Sequence, residues 1–190
     1  MKARWLLVGA LGAALPLLQG CFPLAVTGVA AGALVAADRR STGTYIDDEG
    51  IELKAIPPIR EVNNRGGHVN ATSYNRRVLL TGEVPTEELR KLAEDGVRRV
   101  EGVREVVNEL QVAGSSSYAS RSNDALITSN VKARTLNNGR FQPNHVKVIT
   151  EAGVVYLMGL VTPEEGDAAV EVARTTSGVS RVVKVFEYLK

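Results

Sequence analysis

The sequence predicts an α+β chain made of two tandem copies of one small unit. Each copy runs α-β-β-α-β, with a small three-stranded mixed sheet packed on two helices. Three observations predict this. First, the chain repeats itself at an offset of 77: His68-Val69 falls beside His145-Val146, Val78–Val84 over Val155–Val161, and Glu87-Glu88 over Glu164-Glu165. With a slip of one residue, Gly102-Val103 and Val106-Val107 match Gly178-Val179 and Val182-Val183. Second, the matched segments are short Val- and Leu-rich runs bounded by turn residues, as strands are. Third, Ala113-Gly114-Ser115-Ser116-Ser117, between the copies, has the composition of a linker.

The first twenty residues stand outside this pattern. Lys2 and Arg4 form a short positive segment, and Trp5–Leu18 is an apolar run of export-signal length, short for a transmembrane span. Leu18-Gln19-Gly20-Cys21 closes it with small residues and the one cysteine of the chain. An ordinary secretory leader with a chance cysteine fits these residues. So does a bacterial lipobox, which they resemble and in which Cys21 is acylated and the chain is cut before it. The expected organisation is a signal peptide at 1–20, a tether at 21–43, a first domain at 44–112, a linker at 113–120 and a second domain at 121–190. Phe22–Ala37 is rich in Gly, Ala and Val without clear periodicity, as suits a tether, and Arg39–Gly43 reads as loop.

Within copy one the opening helix carries Asp47, Asp48, Glu49, Glu52, Lys54, Arg60 and Glu61, and Pro57-Pro58 is expected to stop it near Ile56. A strand at Val69–Ser73, a turn at Tyr74–Arg76 and a second strand follow. A helix opens after Pro85-Thr86, where Glu87 and Glu88 match the positive end of its dipole, and a Gly-Val turn leads to the last strand. In copy two the opening helix is expected at Ala125–Leu136, with Ser122, Asn123 and Asp124 as capping candidates. A strand at Val146–Thr150, a turn at Glu151–Gly153, a second strand and a helix after Thr162-Pro163 complete it.

Alternation assigns the faces. Val78, Leu80, Gly82 and Val84 point one way in copy one, toward the helices, leaving Arg77, Leu79, Thr81 and Glu83 on the other face. In copy two the inner set is Val155, Leu157, Gly159 and Val161. The outer set, Val154, Tyr156, Met158 and Leu160, is apolar throughout, and Val183 and Val185 extend it. A sheet apolar on both faces is covered on both. Copy one is expected to dock there, with a second protein molecule as the other candidate cover. On the second opening helix, Ile127 and Val131 are one turn apart and face the core. Leu126, about 100° away, heads an outward stripe with Asn130 and Arg134. One exposed apolar side chain beside cations suits contact with anionic headgroups; a solvated surface with a stray leucine fits as well.

Charge and composition exclude several functions. Without Lys2 and Arg4, the 23 Lys and Arg become 21 against 21 Asp and Glu, so a strongly basic nucleic-acid binder is not expected. Aromatic residues are sparse, which argues against a stacking platform for nucleic acid. Residues 44–112 hold 10 basic and 13 acidic side chains, residues 113–190 hold 9 and 7. His68 and His145 occupy equivalent repeat positions, so they belong to separate domains and serve structure at the strand start rather than one metal site. No nucleophile, metal-ligand set or phosphate-cradling loop is present in the sequence; no cofactor and no enzymatic activity are expected.

The glycine-valine pattern that closes each unit, a helix between G-x-V and G-V-x-x-V, resembles the BON domain, most specifically over Val146–Leu160. Two such units behind a lipobox resemble the dual-BON outer-membrane lipoproteins of Gram-negative bacteria, the DolP/YraP family. The resemblance covers Thr44–Lys190. It implies tandem BON domains on the periplasmic face of the outer membrane, held by lipid on Cys21; Phe22 in place of Asp after the cysteine fits that membrane. It implies binding of anionic phospholipid (phosphatidylglycerol or cardiolipin) by the second domain, in support of outer-membrane integrity, chiefly at division sites. The residues it points to are Leu126, Ile127, Asn130, Val131 and Arg134 on the opening helix and Leu160, Val161 and Thr162 after the second strand. The alternative is a protein-binding adaptor that regulates outer-membrane assembly or cell-wall remodelling, with envelope proteins as partners.

Overall fold

Each repeat closes around an opening helix laid across a β-hairpin. In this computed structural model, which describes residues 38–189, copy one comprises α1 (Thr42–Asn63), β1 (His68–Tyr74), β2 (Arg77–Val84), α2 (Glu87–Arg98), β3 (Glu105–Asn108) and β4 (Gln111–Val112). Copy two comprises α3 (Tyr118–Leu136), a 3₁₀ turn at Pro143–His145, β5 (Val146–Glu151), β6 (Val154–Val161), α4 (Pro163–Arg174) and β7 (Arg181–Tyr188). The expected signal peptide, the Cys21 modification and most of the expected tether fall outside the described residues.

The sheets have the same mixed topology. β1 pairs antiparallel with β2, which pairs parallel with β3 and then with β4. β5 pairs antiparallel with β6, which pairs parallel with β7. The last strand of copy one is thus split in two, where copy two has eight continuous residues. Asn108 marks the break: its side chain bridges to Glu94 and to the carbonyl of Arg90, both on α2, and accepts from the Leu110 amide.

Both hairpins turn through left-handed residues, Asn75 and Arg76 in copy one and Ala152 and Gly153 in copy two. Three of the four carry a side chain, which makes these turns costly. A buried aspartate on each opening helix offsets that cost. Asp48 accepts from the amides of Asn75 and Arg76 at 2.8 and 2.7 Å, and from the Ser73 hydroxyl at 2.7 Å. Asp124 accepts from the amides of Ala152 and Gly153 at 2.9 and 2.8 Å. Asp124 is therefore a turn clamp inside α3, not an N-cap. The helix begins seven residues earlier than the Ala125 expectation and is capped by Ser117, which accepts from the Ser120 amide. A second device recurs in the strands. A Cβ at Gly82 would sit 1.8 Å from the His68 carbonyl oxygen, and one at Gly159 2.3 Å from that of His145. Only glycine lets the start of the first strand lie this close.

Pro57 and Pro58 do not end α1, which continues to Asn63. The two carbonyls that lose a donor belong to Leu53 and Lys54, which lie on the exposed side of the helix, where water serves them. Ile51, Ala55 and Val62 meanwhile remain buried on the inner face, on both sides of the prolines. Pro58 also packs on Gly96 of α2, where an added Cβ would meet its own Cβ at 2.7 Å.

The face assignments hold. Val78, Leu80 and Val84 join α1 and α2 in one core, and Val155, Leu157 and Val161 join α3 and α4 in the other. A third core forms between the repeats. Tyr74 and Leu79 of copy one meet Tyr156, Met158 and Val185 of copy two, with Val154, Leu160 and Val183 packed at its margin. Copy one thus covers the outer face of the second sheet, and Asp38–Lys190 is one unit. Burial at this seam pushes the Tyr156 hydroxyl pKa up to about 12. Polar contacts rim the seam: Lys147 to Glu52 at 2.9 Å, Asn70 to Glu151 at 3.1 Å, Asn75 to Glu187 at 3.0 Å, and Arg104 to Glu187.

Candidate functional site

The outer face of α3 is the surface that best fits a ligand. Its inner face is fixed by Asp124, Ile127, Val131 and Thr135, all buried. That phase turns Leu126 outward, 65% exposed, as expected. It also turns out Tyr118 and Leu136, 86% and 71% exposed. These two lie about five turns apart at the same azimuth, and Leu126 is about 80° from them. Small residues, Ser122, Ala125, Ser129 and Ala133, fill the ground between, all exposed.

Cations flank this stripe. Lys132 lies about 40° to one side of it, and Arg134 about 80° beyond Leu126 on the other; both are exposed. Arg134 is held in place by the hydroxyls of Thr176 and Thr175, to which it donates at 2.8 and 2.9 Å. Arg121 folds over the Tyr118 ring, 5.3 Å from its centroid. The only acid of α3, Asp124, is buried beneath the helix. The exposed face therefore pairs apolar tips with positive charge and carries no carboxylate.

The eight positions indicated by the resemblance do not form one surface. Leu126, Asn130 and Arg134 are exposed together on α3. Ile127, Val131 and Val161 are core side chains, exposed by no more than 2%, and cannot reach a membrane from the folded chain. Leu160 packs into the seam, and Thr162 caps α4. Distance separates the groups as well. Asp124, inside α3, is pinned to the β5–β6 turn, whereas Leu160–Thr162 lie at the opposite end of β6. The strand-to-helix loop is also occupied, since Arg39 donates to the Leu160 carbonyl at 3.0 Å.

Sequence reasoning missed Tyr118 and Leu136. Starting the helix at Ala125 left Tyr118 in the linker and hid the five-turn spacing. Ser117 followed by an uninterrupted stretch free of Gly and Pro was the available signal.

The ionisable pairs elsewhere look structural. His68 Nε2 lies 4.0 Å from Glu151 and His145 Nδ1 lies 3.7 Å from Glu165. The two imidazoles face different acids. Burial and the Arg121 charge lower the His68 pKa, while burial raises that of Glu151, aided by Glu83 and Asp124. Glu87, Glu88, Glu164 and Glu165 lie in first helical turns. Glu165 completes a capping box with Thr162. Among the described residues, no group of three or more His, Cys, Asp or Glu is placed to hold a metal, and no helix is long and apolar enough to cross a membrane.

Comparison with known proteins adds to this geometry. Residues 59–114 and 123–190 each match the BON domain family. The chain is 45% identical over 175 residues to outer membrane lipoprotein DolP of Haemophilus influenzae, covering 90% of each. It is 36% identical over 155 residues to a 21 kDa hemolysin of Actinobacillus pleuropneumoniae, covering 80% of each. It is 29% identical over 160 residues to osmotically-inducible protein Y of Escherichia coli, covering 82% of this chain and 80% of that one.

Proposed function

The chain belongs to the BON-domain family, and from that premise we propose that it is a lipid-anchored outer-membrane protein of the periplasmic face. Its second domain contacts anionic phospholipid through the outer face of α3. Its role is to support outer-membrane integrity, above all at division sites, by binding and not by catalysis. The observation that carries this reading is the acid-free exposed stripe of Tyr118, Leu126 and Leu136 between Lys132 and Arg134. Apolar tips enter the acyl boundary while the bases meet phosphate.

Magnitudes favour a weak contact strengthened by the anchor. Burying one such tip fully contributes about 1.5–3 kcal/mol, and each base near an anionic surface about 1 kcal/mol. Only part of each tip inserts, so the sum corresponds to about millimolar to micromolar affinity. Acyl chains on Cys21 make attachment durable and raise the local concentration of α3 at the bilayer. The chain from Phe22 onward, titrated with phosphatidylglycerol and with phosphatidylcholine micelles, tests the proposal by amide NMR. Shifts along α3 with the anionic micelle alone support it. Absence of shifts with both would overturn it.

One observation favours the adaptor reading. α1 also exposes an apolar stripe, Ile46, Leu53 and Ile56, with the exposed Glu49 and Arg60 among them. Charges of both signs give that face no net attraction to an anionic bilayer and suit a protein surface instead.

A further inference from the structure

Two adjacent arginines leave one short segment toward different repeats. Arg39 reaches copy two: Nη1 donates to the Leu160 carbonyl at 3.0 Å and to Glu165 Oε2 at 2.5 Å, and Nη2 to Glu165 Oε1 at 2.9 Å. Arg40 reaches copy one: Nη1 donates to Asp48 Oδ2 at 2.8 Å. Asp38 takes Nε at 3.2 Å and Nη2 at 2.7 Å, which aims the guanidinium. That group lies 4.0 Å from the centroid of Tyr74 and 5.1 Å from that of Tyr45. Tyr74 in turn belongs to the seam core, and its hydroxyl donates to the His145 carbonyl of copy two at 3.4 Å.

The two acids already serve their own repeats. Asp48 clamps the β1–β2 turn, and Glu165 accepts from the Thr162 amide at 2.9 Å. Neither repeat needs the arginines to satisfy these carboxylates. What the arginines add is mutual placement, through charge-assisted hydrogen bonds made partly out of water. The Arg40 side chain is only 7% exposed. We infer that residues 38–40 form a clasp that locks the two repeats face to face and keeps the apolar seam covered. The chain arriving from the N-terminal side is thereby coupled to both domains as one body.

Met158 provides the test, because it is buried in the seam and Met1 is the only other methionine. The full chain, labelled with ¹³C-methyl methionine in detergent micelles, is exposed to a soluble paramagnetic chelate. The Met158 methyl is shielded in the parent. With Arg39→Ala and Arg40→Ala together, the fraction with an exposed Met158 rises about tenfold or more, the effect of losing one or two charge-assisted contacts, while both repeats keep dispersed amide spectra. Arg174→Ala, on the surface of α4, leaves the methyl shielded. Unchanged shielding in the folded double variant overturns the clasp. Should the double variant unfold, Arg39→Ala alone decides in the same way, since Glu165 retains its bond to Thr162. A lipid titration of the same variants keeps the two proposals separate: loss of seam protection with α3 still responding to phosphatidylglycerol bears on the clasp alone.

Discussion

Single side chains in this protein divide sharply between exposed and committed. Leu126 touches no core, so Leu126→Glu should change stability by no more than about 0.5 kcal/mol while abolishing binding to phosphatidylglycerol vesicles in a flotation assay. Unfolding of that variant would mean that α3 has been phased wrongly. Asp124 is the opposite case. It holds two amides of a turn that passes through the left-handed Ala152. Asp124→Ala leaves both donors without their acceptor and should cost about 2–3 kcal/mol, read as a lower urea midpoint. Glu151 is committed at a cost. Burial raises its folded pKa, so its ionised form opposes folding at neutral pH, and that penalty fades as pH falls through the folded value. Glu151→Gln keeps an acceptor for Asn70 and should be more stable than the parent at pH 7. The advantage should shrink as pH approaches 4.5, measured by thermal unfolding across that range.

At the scale of the element, packing overrides propensity. α1 keeps two prolines in its interior because its inner face is buried before and after them and the orphaned carbonyls face water. Gly96 shows the same rule from the other side. Helix propensity favours alanine over glycine by about 1 kcal/mol, but the new methyl would meet Pro58 at 2.7 Å. Gly96→Ala should therefore destabilise the first repeat, and a gain in its melting temperature would show that α1 and α2 separate easily. The extra turns at the start of α3 belong here too. They place Tyr118 in the stripe with Leu126 and Leu136 and lengthen the exposed face to about 27 Å at 1.5 Å per residue.

For the whole molecule the governing feature is the seam. Two sheets, each covered by helices on one face, cover each other with the remaining face, and a polar rim and the Asp38–Arg40 clasp surround the contact. The clasp responds to acid in a definite direction. The Arg39 hydrogen bonds lower the Glu165 pKa, so their contribution is complete above the ordinary carboxyl value of 4.5 and is lost as pH falls through the lower folded value. Arg39→Ala should lose less stability than the parent between pH 5 and pH 3 on acid titration.

The sequence by itself determined the duplication, the order of elements and the inward and outward faces, because the two copies read in register and alternate strand residues point to opposite faces. It determined the exposure of Leu126 through the helical repeat, and the apolar character of the second sheet's outer face through strand alternation. The tertiary structure alone decided what the pattern cannot encode. Pro57 and Pro58 end a helix unless distant residues bury both flanks. Asp124 reads as a cap until the turn it clamps is seen. Leu160 looks available until the other repeat and Arg39 cover it. Each of these outcomes depends on contacts between residues far apart in the chain, whose free energy exceeds the local preferences that a sequence displays.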